Sequence, residues 1–477
     1  MKVFIRTYGC QMNARDSDAV AARLQQHGYL LAASEEDADI VIVNTCSVRS
    51  KAEDKAIGKL RLLTTPRRRR PGQLVGVMGC MVQHLQERLM DQVHGLDFAV
   101  GTQQLHRMPE ILACVQAGEG PIVVTEEGQV DTGLLAGHSV NAPVGFVNIL
   151  FGCNRRCTYC IVPRVRGEEW SRPAAEVLDE VRSLAAAGAK DVTLLGQSVM
   201  SYGRANPVWP DHCASPLGFR EPLARLLEAA GAVPGIERLR FTSGHPSGCT
   251  PELVRAMQMV PTVCEHLHLP LQSGSDRILA RMRRGYTSDE YRQAVRRLRA
   301  AVPDLALTTD IIVGFPSETV EEFEQTRTFM SEMEFDNSFI FKYSPRPDTP
   351  AAEWPDDVPA EEKLRRNHVL LEEQNVRGVA LNRRVLGQAV EVLAEGPSAR
   401  NPARWSGRTR TNKIVLFDAQ ESVTPGQFVT LCVRRCLPQT LYGELPESGL
   451  GGGRIGEHGS GGCNDEAEPV SAVEMSA

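Results

Sequence analysis

Three short apolar runs near the start of the chain each end at a cysteine, and this repetition constrains the fold more than any other feature. The runs read FIRTYGC, IVIVNTC and LVGVMGC and end at Cys10, Cys46 and Cys80. Helical patterns separate them, so strands and helices alternate as in a parallel, doubly wound sheet. The carboxyl ends of parallel strands share one edge, where ligands collect. We therefore expect these three thiols to meet and to hold one iron–sulfur cluster with an open iron.

A second set of cysteines has the spacing C-x3-C-x2-C and directly follows an apolar strand. It consists of Cys153, Cys157 and Cys160. Three thiolates at this spacing bind three irons of a [4Fe–4S] cluster and leave the fourth iron open. S-adenosylmethionine (SAM) can chelate that iron, and one electron then cleaves its sulfonium to a 5′-deoxyadenosyl radical. A zinc knuckle is the alternative, but structural zinc sites use four ligands and the chain has no second C-x2-C pair.

The order of apolar runs predicts an α/β chain of three domains. The first is a Rossmann-like parallel sheet, the second a partial barrel of six βα units, and the third a small β-barrel. A passage without clear periodicity (125–141) marks the linker, and the last residues, rich in Gly, Ser and acidic residues, are expected to be disordered. The predicted boundaries are 1–120 for the first domain, 121–142 for the linker, 143–376 for the second domain, 377–443 for the third and 444–477 for the tail.

Composition narrows the class of protein. Lys and Arg number 53 against 59 Asp and Glu, so any contact with nucleic acid must come from local basic patches. No apolar run is long enough to span a bilayer, and the N-terminus lacks a secretory or transit pattern. We therefore expect a cytoplasmic protein without a membrane contact. In that compartment the 13 cysteines favour metal ligation over disulfides.

Motifs along the chain resemble those of the MiaB-type radical SAM methylthiotransferases. They are spread over roughly residues 1–440 and occur in the family's order. In the first domain they read YGCQMN (8–13), NTCSVR (44–49) and MGCMVQ (78–83). Further on they read CNRRCTYCIVPRVRGEEWSRP (153–173), HLPLQSGSDRILARMRRGYT (268–287), TTDIIVGFPSET (308–319), FKYSPRPDTPAA (341–352) and GRTRTNK (407–413).

The resemblance implies a fold and an activity. It implies an N-terminal methylthiotransferase domain, a radical SAM partial (β/α)6 barrel and a C-terminal TRAM β-barrel that binds RNA. It also implies that the six cysteines hold two [4Fe–4S] clusters. The expected reaction converts N6-isopentenyladenosine next to the anticodon of transfer RNA (tRNA) to its 2-methylthio derivative, with two SAM molecules spent. The expected partners are the tRNA anticodon stem-loop and an electron donor such as a flavodoxin or ferredoxin, and we expect a monomer.

Two motifs depart from the family pattern. The family sequence GQNVNSYG is replaced by GQSVMSYG, with Ser198 and Met200 in place of asparagines. The sequence SGHPSG (243–248) departs from the usual SxHP. These departures concern the SAM and substrate pocket, whereas the six cysteines are intact.

Polar residues at the ends of barrel strands are candidates to bind SAM or the target base, because barrel enzymes place functional groups there. The same residue types also cap helices and satisfy loop backbone groups. The candidates are Gln197, Ser243, Gln272, Ser273 and Asp310.

Cations in the third domain are candidates to bind RNA. They lie in a β context with Trp405, and single-stranded RNA loops favour such a mixture of cations and a stacking face. A solvated surface patch is the alternative. The candidates are Arg404, Arg408, Arg410 and Lys413.

Two other kinds of function remain open at this point. Related methylthiotransferases act on threonylcarbamoyladenosine in tRNA or on an aspartate of a ribosomal protein, but QMN after Cys10 and GRTRTNK resemble the isopentenyladenosine type. A non-catalytic iron–sulfur or RNA-binding module is the second alternative. The open iron of the C-x3-C-x2-C set argues against it.

Overall fold

The computed structural model describes residues 1–47, 50–126, 128, 137–139, 142–210, 214–418 and 423–446. Half of the predicted linker, and the predicted tail from residue 447 onward, lie outside these ranges. None of the helices in the described ranges combines the length and apolar character needed to cross a bilayer. The described residues form an α/β sheet domain, a central partial barrel and a closed β-barrel, which confirms the predicted fold class.

The N-terminal domain is a six-stranded parallel sheet in the order β2-β1-β3-β4-β5-β6. Its strands are β1 Lys2–Thr7, β2 Leu30–Leu31, β3 Ile40–Thr45, β4 Leu74–Gly79, β5 Phe98–Val100 and β6 Ile122–Val124. Its helices are α1 Gln11–Gln26, α2 Ser50–Thr64, α3 Cys80–Leu85, α4 Arg88–Gln92 and α5 Met108–Gln116.

Strand β3 shows why helices cover both faces of this sheet. All of its side chains are buried, and the four apolar ones alternate between two apolar clusters. Ile40 and Ile42 pack in the cluster with α1 and α5, whereas Val41 and Val43 pack in the cluster with α2 and α3. A continuous apolar strand of this kind is typical of a parallel sheet buried on both sides.

The central domain contains six parallel strands, a separate ribbon of two short strands, and the helices that connect them. Its strands are β7 Val144–Asn148, β8 Leu150–Phe151, β9 Trp170–Ser171, β10 Asp191–Leu195, β11 Arg238–Phe241, β12 His266–His268, β13 Ala306–Val313 and β14 Asn337–Lys342. Its helices are α6 Val162–Arg166, α7 Ala174–Ala186, α8 Pro222–Gly231, α9 Pro251–Met259, α10 Asp276–Arg281, α11 Ser288–Ala301, α12 Val320–Met333 and α13 Ala360–Arg383.

These six strands form two three-stranded parallel sheets, β7-β10-β11 and β12-β13-β14, with β8 and β9 as a separate short ribbon. A parallel bridge between Leu239 and Val263 joins the two sheets. The long predicted strand at 144–150 is divided into β7 and β8. Because β7 and β14 do not pair, the barrel is open on one side, as a partial barrel requires.

The C-terminal domain is a closed five-stranded barrel in the order β15-β16-β17-β19-β18. Strands β17 and β19 run parallel, whereas the other neighbours are antiparallel. The sequence patterns did not reveal β16 and β19, because WSGR and TLYGE lack a regular apolar alternation. The strands are β15 Ala389–Pro397, β16 Trp405–Arg408, β17 Ile414–Phe417, β18 Phe428–Cys436 and β19 Thr440–Glu444.

Helix α13 joins the second and third domains. It packs on β14 at one end, and near its other end Asn382 donates a hydrogen bond to the carbonyl of Leu437 in the barrel (2.7 Å). The predicted boundary between residues 376 and 377 therefore lies within this helix.

Candidate active site

The first three cysteines lie at one edge of the N-terminal sheet. Cys10 follows β1 and precedes α1, Cys46 follows β3, and Cys80 is the first residue of α3 after β4. The three strands are neighbours in the sheet. Cys46 and Cys80 are buried, whereas Cys10 is exposed. The sheet thus brings these cysteines to adjacent positions, as the repeated sequence pattern predicted.

The thiols of this set interact with one another. A hydrogen bond with the Cys46 side chain lowers the pKa of Cys10 to about 6. Burial raises the pKa of Cys80, while the charge of Arg166 acts in the opposite direction. Thiols that are gathered in this way are a suitable donor set for a metal, because ligation replaces their protons.

Two asparagines, Asn13 and Asn44, fix this edge of the sheet. They lie in the sequence motifs but were not predicted as site residues. Both the backbone N–H and the thiol of Cys10 donate to Asn13 Oδ1, at 3.4 and 3.3 Å. Asn13 Nδ2 donates to Asn44 Oδ1 (3.1 Å), and Asn44 Nδ2 donates back to the Asn13 carbonyl (2.8 Å). The motifs around Cys10 and Cys46 are therefore joined by a buried pair of amides.

Gly79 allows the backbone to approach this amide pair. It has a φ of 104°, and a Cβ atom at this position would lie 2.5 Å from Asn44 Oδ1 and 2.6 Å from the carbonyl oxygen of Thr45. Any other residue would displace one of these groups.

The second set of cysteines lies in the loop between β8 and α6. The backbone N–H of Cys153 donates to the Gly167 carbonyl (3.2 Å), and that of Cys160 donates to the Cys157 carbonyl (3.2 Å). Burial, followed by the charge of Cys157, raises the pKa of Cys160 to about 12, and burial likewise raises that of Cys153. The three thiols are thus close enough to influence one another, and a bound cation would relieve this effect.

In the described residues, no three His, Cys, Asp or Glu side chains converge tightly enough to hold one metal ion. A [4Fe–4S] cluster makes a different demand, because each of three thiolates binds a different iron. Its ligands need not converge on one point.

Helix α6 contacts both sets of cysteines. This helix begins two residues after Cys160 and packs against α3, which begins at Cys80. Cys80, Ile161 and Val165 form one buried apolar cluster, and Thr102 Oγ1 donates to the Val165 carbonyl (2.5 Å). One short helix therefore joins the second set of cysteines to Cys80 of the first.

Arg166 at the end of α6 connects the second domain to the first set of cysteines. Its Nη2 lies 2.7 Å from Asp16 Oδ2 in α1, and both side chains are buried. Its charge acts on Cys10 and on Cys80. This residue was not predicted, because only the folded chain brings residue 166 to the edge of the first sheet.

Further buried contacts hold the two domains together. Arg15 of α1 contacts Glu180 of α7 at 3.0 Å, and Arg172 contacts the same carboxylate at 2.6 Å. His138 lies between Asp18 and Glu180, at 2.8 and 3.1 Å. The contact between the first two domains therefore includes a buried ionic cluster beside its apolar contacts.

The predicted SAM or substrate residues lie near the carboxyl ends of the central strands, with one exception. Gln197 follows β10, Ser243 follows β11, and Gln272 and Ser273 follow β12, whereas Asp310 lies within β13. The buried Oε1 of Gln197 has no hydrogen-bond partner among the described residues.

Backbone geometry and packing distinguish these candidates. Ser243 and Gln272 have positive φ values of 58° and 74°. The backbone N–H of Gln272 donates to the Asp310 carbonyl (2.8 Å), and the Asp310 carboxylate lies 3.2 Å from His268 Nε2. Ser273 is fully buried, and its hydroxyl hydrogen bonds Thr326 Oγ1 of α12 (3.3 Å). Gln272 and Asp310 are therefore brought together, whereas the Ser273 hydroxyl faces a helix.

The two departures from the family pattern contact each other. Met200 Sδ accepts a hydrogen bond from the backbone N–H of His245 (3.2 Å). A Cβ atom on Gly248 would lie 2.4 Å from the Cβ atom of Met200. The second glycine of SGHPSG thus provides the space that Met200 occupies.

Arg155 and His245 lie beside the second set of cysteines, and His245 was not predicted as a site residue. Arg155 donates to the hydroxyls of Ser198 and Ser247, at 3.4 and 3.3 Å. Burial, followed by the charge of Arg284, lowers the pKa of His245 to about 2, so this ring is neutral. Its Nε2 lies 3.1 Å from the Arg284 carbonyl, which can only accept, so Nε2 carries the proton.

Two of the four predicted RNA-binding cations contact the central domain. Arg410 lies 2.8 Å from Glu265 and donates to the carbonyls of Pro261 and Val263, at 3.0 and 2.9 Å. Lys413 lies 2.8 Å from Asp336.

The other two cations pair within the barrel. Arg408 pairs with Glu395 at 3.2 Å and Arg404 with Asp418 at 3.1 Å, and these arginine side chains are 38 and 39% exposed. Of the four predicted cations, Arg404 and Arg408 therefore have the most exposed side chains.

Three known families match successive parts of the chain. The uncharacterized protein family UPF0004 matches residues 2–101, the radical SAM superfamily matches residues 147–330, and the TRAM domain matches residues 383–445. Among solved structures, a radical S-adenosylmethionine methyltransferase, TsrM from Kitasatospora setae, is similar with a TM-score of 0.53 and 16% identity, over 74% of this chain and 77% of that one. This similarity concerns the fold.

Similar sequences extend over nearly the whole chain. The tRNA-2-methylthio-N(6)-dimethylallyladenosine synthase of Methylacidiphilum infernorum is 41% identical over 94% of this chain and 95% of its own length. Those of Akkermansia muciniphila and Haemophilus influenzae are 44 and 40% identical, each over 93% of this chain and over 98 and 92% of their own lengths. Together with the matching domains and the placement of the six cysteines, these similarities show that the chain belongs to the family of the tRNA-2-methylthio-N6-dimethylallyladenosine synthases, within the radical SAM superfamily.

Proposed function

We propose that this chain inserts a methylthio group into N6-isopentenyladenosine next to the anticodon of tRNA, which gives 2-methylthio-N6-isopentenyladenosine. The observation that carries the proposal is the similarity to synthases of that name over nearly the full length of both chains. The presence of two sets of three cysteines, which meet at helix α6, supports it, because the reaction needs both a radical and a sulfur source.

The cofactors of a radical SAM methylthiotransferase are [4Fe–4S] clusters and SAM. Cys153, Cys157 and Cys160 would hold the cluster that binds SAM, and Cys10, Cys46 and Cys80 would hold the second. When bound, these groups would supply a 5′-deoxyadenosyl radical and sulfur.

The described side chains have positioning and shielding roles in this proposal. Asn13 holds the thiol of Cys10, and Arg166 brings a positive charge to the same set of cysteines. The buried apolar contact between Cys80, Ile161 and Val165 excludes water from the surroundings of Cys80. Water exclusion strengthens electrostatic interactions at such a site and protects reactive species.

Five residues are proposed to bind SAM or the target base: Gln197, Ser243, Gln272, Ser273 and Asp310. Two observations support three of these residues. The buried Gln197 Oε1 is an acceptor without a partner among the described residues. Ser243 and Gln272 have left-handed backbones, and such strain is concentrated at functional sites.

The proposed RNA partner is the anticodon stem-loop, with Arg404 and Arg408 as the candidate contacts. The other two predicted cations, Arg410 and Lys413, pair with Glu265 and Asp336 of the central domain. The similarity of residues 383–445 to the TRAM domain supports an RNA contact in this barrel. We further propose a flavodoxin or ferredoxin as electron donor, a monomeric enzyme and a cytoplasmic location.

The decisive experiment is mass spectrometry of tRNA nucleosides. A strain without its own methylthiotransferase would receive the intact gene, a Cys157→Ala variant or a Cys114→Ala variant. Cys114 is a free cysteine in α5, outside both sets, and serves as the control. We expect the intact gene and the control to restore 2-methylthio-N6-isopentenyladenosine, and Cys157→Ala to restore none.

The same measurement distinguishes the related activities. A methylthio group on threonylcarbamoyladenosine, with the isopentenyl nucleoside unchanged, would contradict the proposed substrate. If neither nucleoside changed although the protein was well expressed, a ribosomal-protein aspartate would be the next substrate to examine.

A further inference from the structure

Buried arginines in this protein nearly always have a carboxylate partner. Seven arginines are buried in the part of the chain that the structure describes. Six of them lie within 3.0 Å of a carboxylate oxygen. A buried cation without a partner is strongly destabilising, so this pattern is expected. The six paired residues are Arg15, Arg166, Arg172, Arg238, Arg240 and Arg366.

Arg284 is the exception. None of the described carboxylates forms an ion pair with it, although only 7% of its surface is exposed. Its Nη1 lies 3.3 Å from the Sγ atom of Cys157. Its other donors contact neutral oxygens, namely the Pro270 carbonyl (3.4 Å) and the Tyr286 hydroxyl (3.3 Å). The sulfur of Cys157 is therefore the contact of Arg284 that can carry negative charge.

The loop that carries Arg284 is fastened to the loop that carries Cys157. The backbone N–H of Thr158 donates to the Met282 carbonyl (3.1 Å), and its hydroxyl donates to the Arg281 carbonyl (2.9 Å). The Arg284 carbonyl accepts a hydrogen bond from His245 Nε2 (3.1 Å). These contacts fix the guanidinium beside Cys157.

A bound [4Fe–4S] cluster would supply the negative charge that no carboxylate among the described residues provides to Arg284. A [4Fe–4S] core of charge 2+ held by three thiolates has a net charge of about −1, which becomes about −2 when the core gains one electron. A guanidinium keeps its positive charge at any pH of interest. A buried positive charge at this distance favours the reduced core over the oxidised core, because the reduced core is more negative.

We propose that Arg284 is the counter-ion of the cluster at Cys153, Cys157 and Cys160 and raises its reduction potential. The proposal rests on the cluster assignment made under the proposed function. Arg284 is a positioning and tuning residue, because it acts through the cluster and takes no part in bond cleavage. The one-electron reductant is the enzyme's donor in the cell and dithionite in the experiment.

The test is a redox titration of this cluster alone. Replacing Cys10, Cys46 and Cys80 by alanine leaves one set of cysteines in the full-length chain. This parent is reconstituted with iron and sulfide, and its potential is measured by electron paramagnetic resonance without SAM. Arg284→Gln is compared with Arg277→Gln, since Arg277 is a half-exposed arginine of the same domain that already pairs with Glu322 (2.6 Å).

We expect Arg284→Gln to retain about four irons and to have a lower midpoint potential than the parent. We expect Arg277→Gln to match the parent. An unchanged potential in Arg284→Gln with about four irons would overturn the proposal.

If Arg284→Gln loses its iron, Arg284→His provides a second test of the counter-ion role. The imidazole can be charged or neutral, so the potential of this variant, relative to the parent at each pH, should rise as the pH falls through the imidazole titration. A difference from the parent that does not depend on pH would overturn the proposal.

The carboxylate of SAM is the alternative partner for the charge of Arg284. If Arg284→Gln lowered SAM affinity but left the SAM-free potential unchanged, Arg284 would belong to the SAM site and the proposal would be wrong. No measurement in this series uses tRNA, so its result is separate from the nucleoside experiment. A parent without iron would overturn both the ligand assignment and the role of Arg284.

Discussion

Arg166 of the central domain and Asp16 of the N-terminal domain form an ion pair at 2.7 Å, with side chains only 6 and 4% exposed. The pair lies beside the first set of cysteines, at the junction of two domains. It therefore has both a structural and an electrostatic consequence.

Removing one member of this pair should strongly destabilise the protein. We expect Asp16→Asn to lower the free energy of unfolding by about 3–5 kcal/mol, because Arg166 would remain buried and unpaired. The control is Asp179→Asn, whose partner Arg182 is on the surface, with side chains 74 and 58% exposed. That change should cost less than about 1 kcal/mol. Denaturant unfolding of the two variants measures both values, and equal losses would contradict the prediction.

The His138 contact should make the junction of the first two domains sensitive to pH. Burial lowers the pKa of His138, but its hydrogen bonds to Asp18 and Glu180 outweigh burial and raise the pKa above 6.5. A histidine with a raised pKa stabilises the fold below its unfolded pKa, and this contribution is lost as pH rises through the folded pKa. The melting temperature should therefore fall as the pH is raised from about 6.5 through the folded pKa.

Variants identify the residue responsible for this pH dependence. His138→Gln should have a flatter melting profile over the same pH range, whereas His27→Gln, at an exposed position after α1, should behave like the parent. A profile that is unchanged in His138→Gln would contradict the assignment.

Met200 and Gly248 should be energetically coupled. Gly248→Ala places a methyl group against Met200, and we expect a loss of about 1–3 kcal/mol from overpacking. Adding Met200→Ala should recover part of that loss, which a double-mutant cycle would detect. Gly58→Ala is the control, because Gly58 is exposed in α2 with open space around it. We expect this control to gain about 0.5–1 kcal/mol. Additive losses at positions 200 and 248 would contradict the coupling.

The cations of the third domain should separate into two classes. We expect Arg410→Ala to loosen the barrel from the central domain and to speed proteolysis between α13 and β15, since it removes contacts to Glu265 and two carbonyls. We expect Arg404→Ala to leave the cleavage rate unchanged and to reduce the salt dependence of anticodon stem-loop binding by about one charge. The same binding defect in both variants, with unchanged proteolysis, would place Arg410 on the RNA.

Iron content tests the two sets of cysteines separately. Two [4Fe–4S] clusters require about eight irons in the reconstituted protein, and loss of either set should leave about four. The two triple alanine variants, at Cys10, Cys46 and Cys80 and at Cys153, Cys157 and Cys160, provide this comparison. About four irons in the intact protein would contradict the two-cluster assignment.

The sequence predicted the placement of the cysteines, because their positions follow from local patterns. A strand that ends at a cysteine places that cysteine at the sheet edge, and three repeats in parallel strands place all three together, as observed for Cys10, Cys46 and Cys80. The C-x3-C-x2-C spacing is equally local. Both sets could therefore be predicted without knowledge of the tertiary structure.

Residues that act over long sequence distances could not be predicted in this way. Arg166 reaches Asp16, and Arg284 reaches Cys157, only after the domains have folded. Arg410 and Lys413 show the converse difficulty. A cation in a β context has the same pattern whether it faces RNA or another domain, and here both side chains contact the central domain.

The contact between α3 and α6 has a consequence for protein engineering. Only five residues separate Cys160 from Arg166, and they include Ile161 and Val165, which pack against Cys80. The N-terminal and central domains are thus not exchangeable modules. A chimera that joins these domains from two distant relatives would have to keep matching surfaces on α3 and α6. Without these matching surfaces, each domain could fold, but the two sets of cysteines would no longer be held in a fixed position relative to each other.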